Sequence, residues 1–379
     1  MSRYYNPVTV YCGAKGCEEL AAELETELSH VERVLVLTRG ESVDRDESLA
    51  PLSLWVDQRE TVLRELALSN PDLEDIASLT RDLGSFDYQL IIAIGGGSVM
   101  DVAKSLAATS KPGLKTVETL RSAVVERSYG APGTVVPWIG IPTTSGTGSE
   151  VTKWATVWDR GQSCKRSILH DTLYARKALV LPQLTRTLPL RLSASTALDA
   201  MCQATEAYWS VRTNPITRIY ALAAIAEIRT SLPRLKADPH ALDVRERLAM
   251  ASLYAGLAFS NTQTTACHSI SYPLTLLRGI DHGIAVSITL APVLRLNEPA
   301  LHEPRKLYAA YGVEDAAGVG AVIRDLYDQY EIPARLTAYG VTEEDIPGII
   351  DGAYTKGRMD NNPVAISEAQ LHDMLSSLL

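Results

Sequence analysis

Residues Leu90 to Ile94 form an unbroken apolar run, LIIAI, that passes directly into Gly95-Gly96-Gly97-Ser98 and then into the helix-like VMDVAKSLAA. A run with no polar alternation is expected of a strand buried on both faces, and such strands belong to parallel sheets covered by helices on each side. The flanking segments repeat the theme. VTVYC, RVLVLTRG and LSLWV read as strands, EELAAELETEL and the long TVLRELALSNPDLEDIASLTRDLG as helical stretches, and their alternation implies an α/β domain built on a parallel sheet. The polar, proline-bearing stretch from Lys111 to Pro132 reads as a long connection. After Pro182 the texture changes to helix-period patterns: ALDAMCQATEAYW, ITRIYALAAIAEI, VRERLAMASLYAGLAF, AAGVGAVIRDLYDQY and ISEAQLHDMLSSLL. With 379 residues, more than one core can hold, two domains are expected, 1–187 α/β and 188–379 all-α.

The glycine run after LIIAI carries the first chemical signal. Glycines let a ligand approach the backbone, and a following helix offers unpaired N–H groups to a phosphate. The usual G-x-G-x-x-G spacing is not met, because Met100 stands where the third glycine belongs. A purely structural alternative makes Ser98 the N-cap and Asp101 the partner in a capping box. A second loop, PTTSGTGSEVT, follows another apolar strand and places Thr143, Thr144, Ser145, Thr147 and Ser149 around Gly146 and Gly148. Both loops would leave the carboxyl edge of the sheet, where open parallel sheets bind their ligands.

The second signal is a pair of histidines, His268 and His282, flanking one apolar stretch in a chain with only seven histidines. Upstream, Asp199 and Gln203 stand four apart in a strongly helical pattern, so both occupy one helix face about 6 Å apart along its axis. A carboxylate, an amide oxygen and two imidazoles suit a divalent transition metal whose shell still needs water or substrate, the condition for a catalytic rather than a structural ion.

Composition removes several alternatives. A net charge of −9 without any long basic run argues against a nucleic-acid surface but not against a small anionic substrate. The cysteines, Cys12, Cys17, Cys164, Cys202 and Cys267, are odd in number and form no C-x-x-C pair, as expected of free thiols in a reducing compartment. MSRYYNPVTV lacks the basic-then-apolar pattern of an export signal and no window approaches a membrane span, so a cytoplasmic protein with no membrane partner is expected.

GGGSVMDVAK, PTTSGTGSEVT, the Asp199 helix and CHSISYPL ending in DHG occur in one order, and together they resemble the group III, iron-containing, metal-dependent alcohol dehydrogenases across nearly the whole chain. The resemblance implies a nucleotide-binding domain and a helical domain, the fold shared with dehydroquinate synthase, with NAD(P) and a divalent metal, usually Fe2+ or Zn2+, in a cleft between them. By position Asp199, His268 and His282 match three of the family's four ligands. Gly95, Gly96, Gly97, Ser98, Thr143 and Thr147 match its cofactor loops, with Asp101 and Thr144 beside them.

Two departures stand out. Gln203 occupies the place of the usual fourth ligand, a histidine, and Tyr272 replaces another frequent histidine four residues after His268. Tyr272 is the candidate proton donor, with simple packing as its alternative. With QATEAYWS and NTQTTACHSISYPLT, these changes resemble the branch that reduces phosphonoacetaldehyde to 2-hydroxyethylphosphonate in phosphonate natural-product pathways. A phosphonate needs cations, and Lys153, Lys165, Arg166 and Arg358 are the candidates. Where many members carry an aspartate after the threonine ending the second strand, this chain has Arg39, so NADPH is expected over NADH, dual use being the alternative. A homodimer is expected. Competing readings are reduction of phosphonopyruvate, a general iron-type alcohol dehydrogenase, a dehydroquinate-synthase-like lyase, and a non-catalytic homologue that has lost its metal.

Overall fold

The computed structural model describes residues 3–40, 46–68, 70–109, 114–131, 133–162 and 164–379. The chain divides into two compact units: 6–144 with 149–185, and 186–379 with 3–5 and the Ser145–Gly148 turn.

The first unit runs β1 (Thr9–Cys12), α1 (Gly13–Glu27), β2 (Arg33–Thr38), α2 (Ala50–Asp57), β3 (Glu60–Glu65), α3 (Leu73–Leu83), β4 (Leu90–Gly95), α4 (Gly97–Thr109), α5 (Val117–Glu126), β5 (Trp138–Pro142), β6 (Trp154–Asp159), β7 (Cys164–Leu169) and β8 (Lys177–Val180). Six strands form one sheet in the order β1-β8-β5-β4-β2-β3, with every pairing parallel. β4 is buried along its whole length, as its apolar run requires. Ile92 and Ile94 enter a core with Leu20, Leu24, Val34 and Leu52, while Ile91 and Ala93 enter another with Leu35, Met100 and Leu106. A strand with period-two exits into two separate cores has no polar position to offer.

Three readings are corrected. LSLWV is the body of α2, a helix opened by Pro51 that buries Leu52 and Trp55 and exposes Leu54. The strand is the next segment, Glu60–Glu65, so the stretch read as helical from Thr61 begins as an edge strand and becomes helical only at Leu73. A five-residue apolar run is compatible with either state, and here the proline at the first turn and the three-residue spacing of Leu52 and Trp55 decide it. The supposed connection between Lys111 and Pro132 contains α5, begun by a capping box between Thr116 and Thr119 and burying Leu120, Ala123 and Val124. Residues 111–113 and 132 of that stretch lie outside those described.

The connection after β2 leads outward to β3, whereas that after β4 leads the other way to β5, and the two strands are neighbours with Thr38 beside Ile94. Their carboxyl ends therefore flank a topological switch point, where open α/β sheets leave a crevice. Arg39 and Gly95–Ser98 sit at those two ends.

Beneath the glycine run, Lys104 of α4 is wholly buried. Its Nζ donates to Ser149 Oγ at 2.8 Å, Thr152 Oγ1 at 2.9 Å and the Trp154 carbonyl at 2.9 Å, and it lies 5.4 Å from the Trp138 ring centroid. One cation thus ties α4 to the segment joining β5 to β6. Burial lowers Lys104 to about 8, against the pull of Asp101 and Glu150. It raises Asp101 to about 6 and Glu150 to about 7, although Lys104 works against both shifts.

For Glu150 this has a measurable consequence. Its folded value exceeds the unfolded one, so the native state holds the proton more tightly, and that stabilisation is present at low pH and lost as pH rises from about 4.5 to about 7. Glu150→Gln is therefore expected to raise stability by about 2 kcal/mol at pH 8 and by nothing below pH ~4.5. Urea unfolding at several pH values measures it; a gain independent of pH would contradict this origin.

The second unit is helical among its described residues: α6 (Leu190–Trp209), α7 (Pro215–Ala237), α8 (Leu242–Thr262), α9 (Ala266–Arg278), α10 (His282–Ser287), α11 (Leu290–Asn297), α12 (Pro304–Tyr311), α13 (Ala316–Gln329), α14 (Ile346–Ala353) and α15 (Glu368–Ser377). α6 is its axis, packed by α7, α8 and α10 and buried almost continuously from Ser193 to Trp209. None of the helices described in either unit is long and apolar enough to cross a membrane.

Candidate metal centre and cofactor loops

Asp199 and Gln203 project from successive turns of α6, His268 from α9, and His282 from the first position of α10. One ligand atom each from Asp199, His268 and His282 falls within 4.8 Å of the others. Asp199 Oδ1 is 3.3 Å from His268 Nε2 and 3.9 Å from His282 Nε2. The Gln203 amide donates to Asp199 Oδ2 at 3.0 Å, which turns its own oxygen away from that contact.

Three buried atoms, Asp199 Oδ1, Gln203 Oε1 and His268 Nε2, make no hydrogen bond in the protein. Leaving even one such atom unsatisfied costs about 1–3 kcal/mol, and a cation held between Asp199 and His268 would satisfy theirs. The donor set, two oxygens and two imidazoles, fits a borderline divalent ion. Exposure is uneven, which matters for chemistry: the Asp199 and His268 side chains are about 5% exposed and that of His282 39%. The cluster is therefore reached from solvent on the His282 side.

Two glycines explain the local path. Gly279 adopts the left-handed conformation that ends α9, so the chain can turn into Asp281 and His282. Gly283 abuts α6 so closely that a Cβ there would lie 2.0 Å from the Ser195 carbonyl oxygen. The DHG triplet is thus a backbone-to-backbone seat for α10, one turn from Asp199.

Glu206 was not among the residues expected from the sequence. It is wholly buried, and its Oε2 lies 2.5 Å from His268 Nδ1. Its Oε1 accepts from Thr265 Oγ1 at 2.9 Å, the Cys267 N–H at 2.7 Å and the His268 N–H at 3.3 Å, and Trp209 Nε1 donates to the same Thr265 hydroxyl. These bonds hold Glu206 below the usual carboxylate range despite burial, which acts the other way. They also set the tautomer of His268, directing Nε2 into the cluster. For His268 burial opposes the charge, but Glu206 and Asp199 override it and push the imidazole up to about 10. The signal was available: Glu206 follows Asp199 by seven residues, two helical turns on the same face.

Tyr272 is buried and its ring is parallel to that of His282, 6.4 Å between centroids and 6° between planes. Burial pushes the Cys202 and Cys267 thiols up, so both are unreactive neutral groups beside the cluster.

In the first unit the two small-residue loops adjoin: a Cβ at Gly96 would lie 3.2 Å from Thr144, and the Thr143 N–H donates to the Gly95 carbonyl at 3.1 Å. α4 begins at Gly97, so Ser98 is its second residue and not its N-cap; the Ser98 hydroxyl accepts from the Asn70 N–H, and Asp101 from Ser149 at 3.4 Å. The capping-box alternative is therefore ruled out. Thr147 lies between Gly146 and Gly148, in the turn that belongs to the helical unit. Gly148, at φ +53°, lies where a Cβ would stand 2.5 Å from Gly256 Cα, so this glycine is required by packing on α8.

The basic residues differ in their engagements. Arg166 on β7 is bound to Asp159 at 2.8 Å, which Arg121 also holds, and together they keep that buried carboxyl at about 2. Lys153 pairs with Asp171 at 2.5 Å. Lys165 adjoins Arg166 on β7, and Arg39 is exposed just after β2. Arg358 lies in the helical unit, with Nη1 donating to the Gly357 carbonyl.

Residues 7–182 match the family model described as iron-containing alcohol dehydrogenase, and residues 193–379 match the C-terminal model of the Fe-containing alcohol dehydrogenase family. Among similar curated proteins, a phosphonoacetaldehyde reductase of Streptomyces viridochromogenes is 32% identical over 312 residues, 80% of this chain and 79% of that protein. A 4-hydroxybutyrate dehydrogenase of Clostridium kluyveri is 30% identical over 79% of this chain and 81% of its own. Among solved structures, sulfoacetaldehyde reductase from Bifidobacterium kashiwanohense in complex with NAD+ is 29% identical with a TM-score of 0.87, covering 100% of this chain and 98% of that one.

Proposed function

The chain belongs to the iron-containing alcohol dehydrogenase family, making it a metal-dependent, NAD(P)H-linked reductase of small carbonyl compounds, and we propose that it accepts short aldehydes as a class. The observation that carries this reading is the grouping of Asp199, His268 and His282, with the unsatisfied Asp199 Oδ1 and His268 Nε2 3.3 Å apart, in a cluster open beside His282. When bound, a divalent metal supplies Lewis-acid polarisation of a carbonyl oxygen and a reduced nicotinamide supplies hydride. Asp199, His268 and His282 hold the metal, with the Gln203 oxygen as a weaker, neutral fourth donor. Glu206 fixes the His268 ring. Reduction also consumes a proton, and Tyr272, stacked on the exposed ligand His282, is the hydroxyl we assign to deliver it.

Relatives of nearly equal similarity carry names for three different substrates, which supports the broader reading over any one of them. The test is the ratio of kcat/KM values for propanal, phosphonoacetaldehyde, sulfoacetaldehyde and succinic semialdehyde, with metal content measured on the same preparation. Values within about 100-fold of one another are expected, the range that size and shape alone produce.

A second reading, phosphonoacetaldehyde reduced to 2-hydroxyethylphosphonate, is favoured by the Streptomyces relative and by the resemblance around Gln203 and Tyr272. The candidate cations for it are Lys153, Lys165, Arg166 and Arg358, of which Lys153 and Arg166 are paired with carboxylates. A preference for phosphonoacetaldehyde of about 1,000-fold or more would select this reading and end the first.

For the cofactor we propose NADPH over NADH. Arg39 directly follows β2 at the switch point, and a guanidinium bonding a 2′-phosphate is worth about 1.5–3 kcal/mol, a preference of about tenfold or more. Arg39→Asp should reverse the order. A wild type that favours NADH would show this assignment to be wrong.

A further inference from the structure

A cavity of about 230 Å³ opens within the helical unit between α10–α11, α13 and the end of α15. Three arginines line it, Arg295 of α11, Arg324 of α13 and Arg335 of the turn beyond, and no acidic residue does. Among the described residues none of the three is in an ion pair, although Arg121, Arg166, Arg234, Arg247 and Arg278 all are. The three are exposed, and they line one small cavity that no carboxylate side chain enters, in a chain of net charge −9. Arg324 is also shaped for the cavity: its Nη1 lies 3.3 Å from where a Cβ of Gly320 would be, so the absence of a side chain one turn back lets the guanidinium lie along the wall. The hydroxyls of Ser287 and Tyr327, 2.7 Å apart, belong to the same lining, and Ile288, Pro292 and Ile323 supply apolar surface.

We propose that this cavity is a binding site for a small organophosphate, separate from the metal cluster and from the loops after β4 and β5. A guanidinium presents a planar fork that matches phosphate oxygens two at a time, which a single carboxylate satisfies less fully when three forks converge. The cavity is larger than an inorganic phosphate needs, and its apolar surface suits a short carbon chain attached to the phosphoryl group.

The test is calorimetric titration of the metal-loaded, NADP+-saturated enzyme with glycerol 3-phosphate, inorganic phosphate and citrate in turn. The double variant Arg295→Gln/Arg324→Gln is the control, because both side chains are exposed and Arg335, which also bonds the Ser377 carbonyl, is left in place. Glycerol 3-phosphate is expected to bind the wild type more tightly than phosphate, and the double variant to lose about 100-fold or more, about tenfold per guanidinium. Turnover of aldehyde by the double variant should match the wild type. Binding that survives in the double variant would overturn the site, as would no binding at all, and citrate binding without either phosphate would overturn the ligand class.

Discussion

Exchanging Glu206 for glutamine is expected to weaken metal binding by about 10- to 100-fold, the range seen when the partner of a ligating histidine is removed. The amide keeps the shape of the carboxylate but not its charge. His268 Nδ1 loses a charged acceptor, and the Cys267 and His268 N–H groups that converge on Oε1 lose half their attraction. The ring is then no longer held with Nε2 directed at Asp199, while every ligand remains in the chain. A chelator competition measures the affinity directly, and activity should be largely recovered at saturating metal, which separates loss of positioning from loss of a ligand. Unchanged metal affinity would mean that Glu206 is only a filler of the α6–α9 contact.

Lys104→Met should cost about 3–5 kcal/mol of stability, the cost of removing one member of a buried, hydrogen-bonded charge group. Methionine fills the volume of the stem. It cannot donate, so Ser149, Thr152 and the Trp154 carbonyl lose the cation that joins them, and Asp101 and Glu150 lose their compensating charge. Urea unfolding reports the loss, and the midpoint should shift with little change of slope. A cost under about 1 kcal/mol would show that the hydroxyls satisfy one another once the lysine is gone.

What could be read in the sequence follows from how each residue's surroundings are encoded. β4 was legible because burial on both faces leaves no polar position, and α6, α8 and α13 because long helices repeat their period several times. α2 was not, since LSLWV is shorter than two helical turns and its apolar residues fit either state. The grouping of Asp199, His268 and His282 was legible through the helical pattern around Asp199 and through the rarity of histidine. Lys104 was hidden, and Glu206 was passed over despite its spacing from Asp199, for a single reason: a charged residue in a helical pattern ordinarily faces water, and the three-dimensional neighbours of these two reverse that expectation. Arg295, Arg324 and Arg335 were hidden by distance, being spread over forty residues and brought to one cavity by the packing of separate helices.

The contact of Gly283 with the Ser195 carbonyl ties the position of His282 to α6 through main chain alone. Asp199 and His282 are joined through backbone that touches backbone, and His268 through Glu206 to the same helix. A side chain at position 283 would therefore part His282 from Asp199 without touching either residue, so the spacing of the cluster is guarded by an atom that is missing from a neighbour.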